Sequence, residues 1–454
     1  MPHFIHLERI EVPTNRQRRE FDAAALEELR TSIQETQFGL QHPLVVRQGA
    51  QPGAFLLVSG ERRLRAIRDI YELGGEFRHA GAAVPAGQVP VVDLGELDPI
   101  DAFEAELEEN IRRDDLTVME RATATANLFE LRTAQASRDG KPVPAASDIA
   151  QEMFDIPASK PKGEYGQATT TVRDQLIVAR HRDDPEVAKA TSLREAVKII
   201  KKKDEAKRNV ALAAAVGATY TTDRLQLHHA DAQEWLAPVL GDFDIILMDP
   251  PYGMGADQFG DSGTEAGAAG AHQYDDSFES WLAMMEWLVP TTWRVTKPSA
   301  HMYVFCDLDR FFEMRARFAA AGWNVHRTPL VWHNPDGFRA PWPEHGPQRK
   351  YELVLYARRG EKKCSVLRGD VLEYRKDPAL GHPAQKPVNL LIDLLRRSAA
   401  PGDKVLDAFA GSGGILAACN ELRLSCVALE RDPTFYGMAV KRLQALKSEP
   451  ELAL

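Results

Sequence analysis

The chain has 454 residues, 44% hydrophobic and 27% charged, with a formal net charge of −10. At about 150 residues per domain, that length predicts about three domains, and the apolar share excludes wholesale disorder. The acidic balance excludes a uniformly basic nucleic-acid coat but leaves room for local patches such as KIIKKKDEAKR, Lys198 to Arg208. No apolar run reaches the roughly 18 residues of a membrane span, and the opening MPHFIHLERIEV lacks a signal-peptide pattern. Four cysteines, Cys306, Cys364, Cys419 and Cys426, form no CxxC pair. That speaks against a disulfide framework or zinc cage and for a cytoplasmic, non-membrane protein.

Residues 1 to about 134 alternate the β-like runs HPLVVRQ, FLLVSG and VPVVDL with charged helical stretches, which predicts a small α/β domain. In VSGERRLRA, a strand and one glycine lead into a helix whose first turn carries Glu61, Arg62 and Arg63. Backbone amides at a helix start, together with two guanidinium groups, make an anion site. Downstream, EENIRRDDLTVMERA brings Glu109, Asn110, Arg112 and Arg113 together. With NRQRREFDAAALEELRTSIQ and QHPLVVR, these boxes resemble the ParB family's amino-terminal domain over about residues 5 to 132. The resemblance implies CTP with magnesium: Gly60, Glu61, Arg62 and Arg63 at the phosphates, Asn110 at the metal, Glu109 in turnover, and Arg113 adding charge. Some members of that family keep the fold without hydrolysing nucleotide, so CTPase activity stays open.

Residues 135–208 read as helical. SDIAQEMF and TTTVRDQLIVAR are candidates for the two helices of a helix-turn-helix, with Thr169 to Thr171 capping the second. The intervening PASKPKGEYG is longer than a tight turn. ALAAAVGATYTTD is small and low in charge, and a linker is expected at residues 209–218. From residue 219 to 454, apolar strands at wide spacing alternate with amphipathic helices, which predicts a largely parallel α/β sheet. GDSGTEAGAAGA, residues 260–271, reads as a surface loop.

Two motifs carry the chemistry of this last domain. DIILMDPPYGMG is a buried strand with Asp249-Pro250-Pro251-Tyr252 at its carboxyl end, where open α/β sheets place their sites. The prolines stiffen the backbone, so the Asp249 carboxylate and Pro250 carbonyl become fixed acceptors beside an aromatic face. That suits a planar ring bearing an amine. KVLDAFAGSGGILAACNELRLSCVALERD is a strand ending at Asp407, a glycine-rich turn, a helix, and a second strand ending at Glu430. An acid at the second strand tip can hold two ribose hydroxyls. Cys306 reads as an inert core thiol.

Together these residues resemble the S-adenosylmethionine-dependent DNA amino-methyltransferases over about residues 223 to 446. DAFAGSGG matches the cofactor loop, DPPY the catalytic tetrapeptide, and HPAQKP, His382 to Pro387, the segment before the loop. The motif order resembles the permuted β class. That implies a Rossmann-like domain with a mostly parallel seven-stranded sheet, LQLHHAD as a strand ending in Asp231, and YELVLYARRG as the late antiparallel strand. It further implies that Asp231, Lys386, Asp407, Phe409, Gly411, Ser412, Gly413 and Glu430 hold the cofactor. The expected reaction is methylation of a flipped base in double-stranded DNA by a homodimer. The DPPY form favours adenine N6, and cytosine N4 stays open. A reading from another class is a ParB-like DNA-loading or partition adaptor with a passive methylase domain. Two candidates for sequence recognition are residues 361–381, which are few, and residues 334–350, with Arg339, Trp342, Arg349 and Lys350.

Overall fold

The computed structural model describes residues 3–13, 23–49, 51–96, 100–101, 104, 107, 116–157, 159–161, 165–253, 277–338, 347–377 and 385–448. The chain divides into two compact units, Met1–Lys201 and Lys202–Leu454.

The first unit opens with a mixed sheet in the order β1 (His3–His6), β7 (Gln88–Asp93), β3 (Leu44–Gln48), β4 (Phe55–Ser59), β2 (Ile10–Glu11). β7 and β3 run parallel, while β3 and β4 are antiparallel. Helix α1 (Ala23–Glu35) precedes β3, and α2 (Glu61–Glu72) leaves β4 through Gly60. α2 buries Leu64, Ile67 and Ile70, at the three-residue spacing that makes one helical stripe. β5 (Arg78–His79) and β6 (Ala82–Ala83) form a small hairpin.

The helical part holds α3 (Val118–Arg138), α4 (Ala146–Met153), α5 (Gly166–Ala179), α6 (Pro185–Ala188) and α7 (Leu193–Val216). A capping box between Thr117 and Glu120 starts α3, which then runs through residue 134, where a domain boundary was expected. Leu128, Leu131, Ile149, Ala150 and Val172 form the apolar seam of α3, α4 and α5. Inside it, the Thr125 hydroxyl donates to Gln175 Oε1 at 2.9 Å.

Two expectations for this region are corrected. Thr169 to Thr171 do not cap α5, because the helix already begins at Gly166. Their hydroxyls donate to the carbonyls of Tyr165, Gly166 and Gln167, four residues back, as threonines inside a helix do. Residues 209–218 are not a linker: α7 runs to Val216 and β8 (Thr219–Thr221) follows. Alanine is the best helix former, and Leu212, Ala213 and Val216 pack into the second unit's core.

The second unit is built on one sheet in the order β15 (Val371–Glu373), β13 (Leu330–His333), β14 (Tyr351–Arg359), β11 (Thr296–Cys306), β10 (Phe243–Met248), β16 (Lys404–Asp407), β17 (Ser425–Glu430), β9 (Leu225–His229), β8. β12 (Asn324–Val325) pairs with β14 off this path. The described sheet therefore has ten strands where seven were expected. β8, β12 and β15 are short additions of three residues or fewer. The five central strands, from β11 to β9, are parallel. β14 is antiparallel to β11, as the resemblance implies.

Around the sheet lie α8 (Ala232–Leu236), α9 (Phe278–Val295), α10 (Leu308–Ala320), α11 (Val388–Arg396), α12 (Gly414–Glu421) and α13 (Pro433–Ser448). Two apolar clusters form, one holding Ile245, Leu247, Tyr303, Phe305 and Ile415, the other Ile246, Met248, Val304, Met285 and Phe318. Alternate residues of β10 and β11 fall into opposite clusters, so all six residues of β10 are buried. No helix among the described residues is long and apolar enough to cross a membrane.

Candidate active site

Strand order reverses between β10 and β16. From β16 the chain proceeds outward through β17, and from β10 it proceeds the other way through β11. Register aligns the carboxyl ends along one edge, with Met248 beside Val304, Asp407 beside Ala428, and Glu430 beside His229. Crevices at such reversals are where open α/β sheets bind ligands. Both motifs meet there.

On the β10 side, the Tyr252 hydroxyl donates to Asp249 Oδ1 at 2.7 Å. The turn beyond is tight: Gly253 has φ 66°, and a Cβ there would lie 2.4 Å from Trp281 Cβ. Arg310, stacked over Phe278, donates to the Gly253 carbonyl at 2.8 Å and ties the turn to α10.

The Lys386 ammonium reaches into this cluster. Its Nζ lies 2.7 Å from Asp249 Oδ2, 3.1 Å from Glu352 Oε2 and 3.1 Å from the Tyr252 hydroxyl, over the Phe305 ring. Lys386 was expected on the cofactor side, but the structure brings its charge to Asp249. Its carbonyl would lie 3.7 Å from a Cβ on Gly414 at the start of α12, so the residue touches both halves of the crevice. Burial raises the Asp249 carboxyl above the usual carboxylate range; Lys386 pulls it back and Glu352 adds to the rise. Burial and the same two carboxylates push the Tyr252 hydroxyl far up. For Lys386, burial disfavours the ammonium, yet Asp249 and Glu352 outweigh it and raise its pKa.

On the β16 side, Asp407 is 6% exposed and accepts from the Phe409 amide at 2.9 Å. Burial pushes its carboxyl up to about 8. The turn that follows has Gly411 at φ 51° and Gly413 at φ 74°, with Ser412 buried. Glu430 accepts the Gly411 amide at 2.7 Å on one oxygen and the Asp432 amide at 2.8 Å on the other. Each carboxylate oxygen keeps a further lone pair for a hydroxyl. The strand-end acid, the glycine turn and buried Asp407 therefore fit a nucleoside-type cofactor. Asp231 is exposed and caps α8, its Oδ1 accepting the amides of Gln233 and Glu234. Cys306 is buried, and burial pushes its thiol up to about 12, which keeps it protonated at neutral pH.

In the first unit, Gly60 takes φ 103° at the start of α2, a left-handed conformation open to glycine without steric cost. Arg63, expected at the phosphates, donates to the carbonyls of His42 and Pro43 at 2.9 and 2.8 Å. Arg62 donates to the Ala25 carbonyl at 3.2 Å, and Glu61 pairs with Arg65. Glu109, Asn110, Arg112 and Arg113 lie outside the described residues, as do residues 260–271, His382, Arg339 and Trp342. Of the recognition candidates, Arg349 pairs with Asp307 at 3.2 Å, and Lys350 donates to the Pro335 carbonyl. Among the described residues no group of three or more acids, histidines or cysteines could hold a metal ion.

Sequence reading missed Glu352 and Arg310. Glu352 is the one acid in the otherwise apolar run from Tyr351 to Ala357, a weak signal that a buried partner exists.

Comparison with known proteins agrees with both halves. Residues 243–441 match the DNA methylase family and residues 2–72 match the ParB N-terminal domain. The chain is 22% identical over 251 residues to the Type II methyltransferase M2.DpnII of Streptococcus pneumoniae, covering 50% of this chain and 92% of that one. It is 25% identical over 227 residues to M.HpaI of Haemophilus parainfluenzae, covering 44% and 68%. The crystal structure of the M1.HpyAVI-SAM complex is 21% identical, with coverage of 48% and 98% and a TM-score of 0.38. The chain thus joins a ParB N-terminal domain to a DNA methylase domain in one polypeptide.

Proposed function

We propose that the methylase unit transfers a methyl group from S-adenosylmethionine to the exocyclic amine of a base flipped out of double-stranded DNA, adenine N6. The reading rests on one observation: the Asp249–Tyr252 pair and the Gly411–Glu430 turn converge on one edge of the sheet, at the strand-order reversal. The DPPY form of the tetrapeptide supports adenine. S-adenosylmethionine, when bound, supplies an electrophilic methyl group. Glu430 would hold ribose hydroxyls, while Asp407, Phe409, Gly411, Ser412, Gly413 and Asp231 would line the rest of its site.

The protein's own part is to position and polarise the amine. An amine conjugated to its ring is a poor nucleophile. Asp249 and the Pro250 carbonyl accept its two N–H bonds and favour the pyramidal, positively charging nitrogen of the transition state. Preorganised groups of this kind are worth roughly 3 kcal/mol each. Flipping the base costs a few kcal/mol, and stacking on Tyr252, about 1–3 kcal/mol, offsets much of that. The bond from Tyr252 to Asp249 fixes the ring for this purpose.

For the first unit, we propose CTP and magnesium binding with a DNA-loading role, and for the whole chain a cytoplasmic homodimer. The deciding experiment incubates the full chain with S-adenosylmethionine and unmethylated plasmid, then analyses the nucleosides by mass spectrometry. N6-methyladenine is expected. N4-methylcytosine would move the target to cytosine, and no methylated base would overturn the reading in favour of a DNA-loading adaptor.

A further inference from the structure

Building on the amino-methyltransferase reading, we infer that Glu352 is a positioning residue of the base site: its carboxylate holds the Lys386 ammonium, so that Asp249 stays available to the target amine.

An ammonium has three protons to donate, and Lys386 faces three acceptors: Asp249 Oδ2, Glu352 Oε2 and the Tyr252 oxygen. Both Asp249 oxygens are engaged, Oδ1 by Tyr252 and Oδ2 by Lys386. Each oxygen keeps one further lone pair, so an incoming amine shares the carboxylate with the phenol and the ammonium and competes with them for its charge. The Lys386 side chain is 8% exposed, and a charge that deep cannot be left without a counter-charge. With Asp249 as its only partner, Lys386 would hold that carboxylate, and the pair would be neutral. Glu352 changes both terms. The ammonium can lean on Glu352 when an amine claims Oδ2, and the cluster carries a net charge of about −1 instead of zero. A net negative site stabilises a nitrogen that becomes positive as it is methylated.

Exposure follows the same logic. The Asp249 side chain is 24% exposed, against 13% for Glu352 and 8% for Lys386, so Asp249 faces the crevice and the other two lie beneath it. Register explains the placement. Leu353 pairs with Cys306 at the end of β11, which puts Glu352 next to the crevice, across Phe305 from Asp249.

The test uses the full chain and the Glu352→Gln and Glu352→Asp variants. The groups facing Asp249 are Lys386, Glu352 from β14, Tyr252 from its own turn, Asp407 from β16 and Cys306 from β11. Glu352→Gln should lower the single-turnover methylation rate about 10- to 100-fold, with Kd for S-adenosylmethionine and DNA within about threefold. Losing the negative neighbour lowers the pKa of Asp249, so the acid limb of the rate profile should move to lower pH. Glu352→Asp should recover part of the rate. A wild-type rate or an unmoved limb in the Gln variant, or an Asp variant no better than Gln, would overturn the role.

A thermal-unfolding cycle with Lys386→Met tests the pair without turnover. The double variant should lose less Tm than the two single variants added, whereas strict additivity sinks the proposal. A wild-type chain that methylates no DNA would overturn the reaction reading and this role with it. That failure is recognisable because it does not depend on residue 352.

Discussion

Asp407→Asn should flatten the pH dependence of stability in the methylase unit. Asp407 is 6% exposed with a carboxyl near pKa 8, against 3.8 for a free aspartate. Its pKa is raised on folding, so the folded state keeps a proton that the unfolded state releases above about pH 4. The stabilisation is complete below the unfolded pKa and is lost as pH rises through the folded one. Each pH unit inside that window costs 1.36 kcal/mol, so between pH 5 and 8 the wild type should lose on the order of 4 kcal/mol through this group. Asparagine has the shape of the protonated acid, keeps an oxygen for the Phe409 amide, and does not titrate. All seven tryptophans lie between Trp235 and Trp342, so tryptophan fluorescence follows the second unit alone. Urea unfolding at pH 5, 6, 7 and 8 should give wild-type and variant curves that lie closest at pH 5 and separate as pH rises, the wild type being the more pH-sensitive. Curves that stay parallel within about 0.5 kcal/mol, the scale of an ordinary surface substitution, would refute the reasoning.

Asp249→Ala should abolish methyl transfer and leave the Kd for S-adenosylmethionine within a few-fold, while Glu430→Ala should raise that Kd about tenfold or more, since charged hydrogen bonds are worth about 1.5–3 kcal/mol. Isothermal calorimetry beside a methylation assay separates the two roles; equal losses of binding in both variants would refute the division. Gly413→Ala should destabilise the second unit by about 1–3 kcal/mol, because φ is 74° and the new Cβ would lie 2.9 Å from Ala439 Cβ. Unfolding by urea reads it, and an unchanged midpoint would contradict the packing. Calorimetry of the full chain should show CTP bound in preference to ATP when magnesium is present, with Arg62→Ala weakening it at least tenfold; no heat with either nucleotide would leave the first unit as a DNA-binding or dimerisation module.

DPPY and DAFAGSGG were legible in the sequence because each is a local device. A buried strand, a stiff or glycine-rich turn and the residues that turn presents are all encoded within a dozen positions. The antiparallel β14 and the strand ending near Asp231 were legible only through the resemblance, whose motif order implies both. Where local chemistry could be satisfied in more than one way, the reading erred. Threonines at 169 to 171 look like caps, yet serve equally well inside a helix when it begins three residues earlier. An alanine-rich stretch looks like a linker until Leu212, Ala213 and Val216 find an apolar surface to bury.

Sequence by itself determined the joining of a ParB-like part to a methylase part, the α/β class of both, and the pairing of a strand-end acid with a glycine turn, while three domains were expected where the structure forms two units. Tertiary structure decided the charge balance of the base site. Asp249, Glu352 and Lys386 stand far apart in the chain and belong to three different segments. They meet only because β11 is flanked by β10 on one side and β14 on the other, with Lys386 lowered over Phe305 between them. Strand register, which no local pattern specifies across a hundred residues, sets which acid faces the ammonium, and Coulomb's law at about 3 Å does the rest.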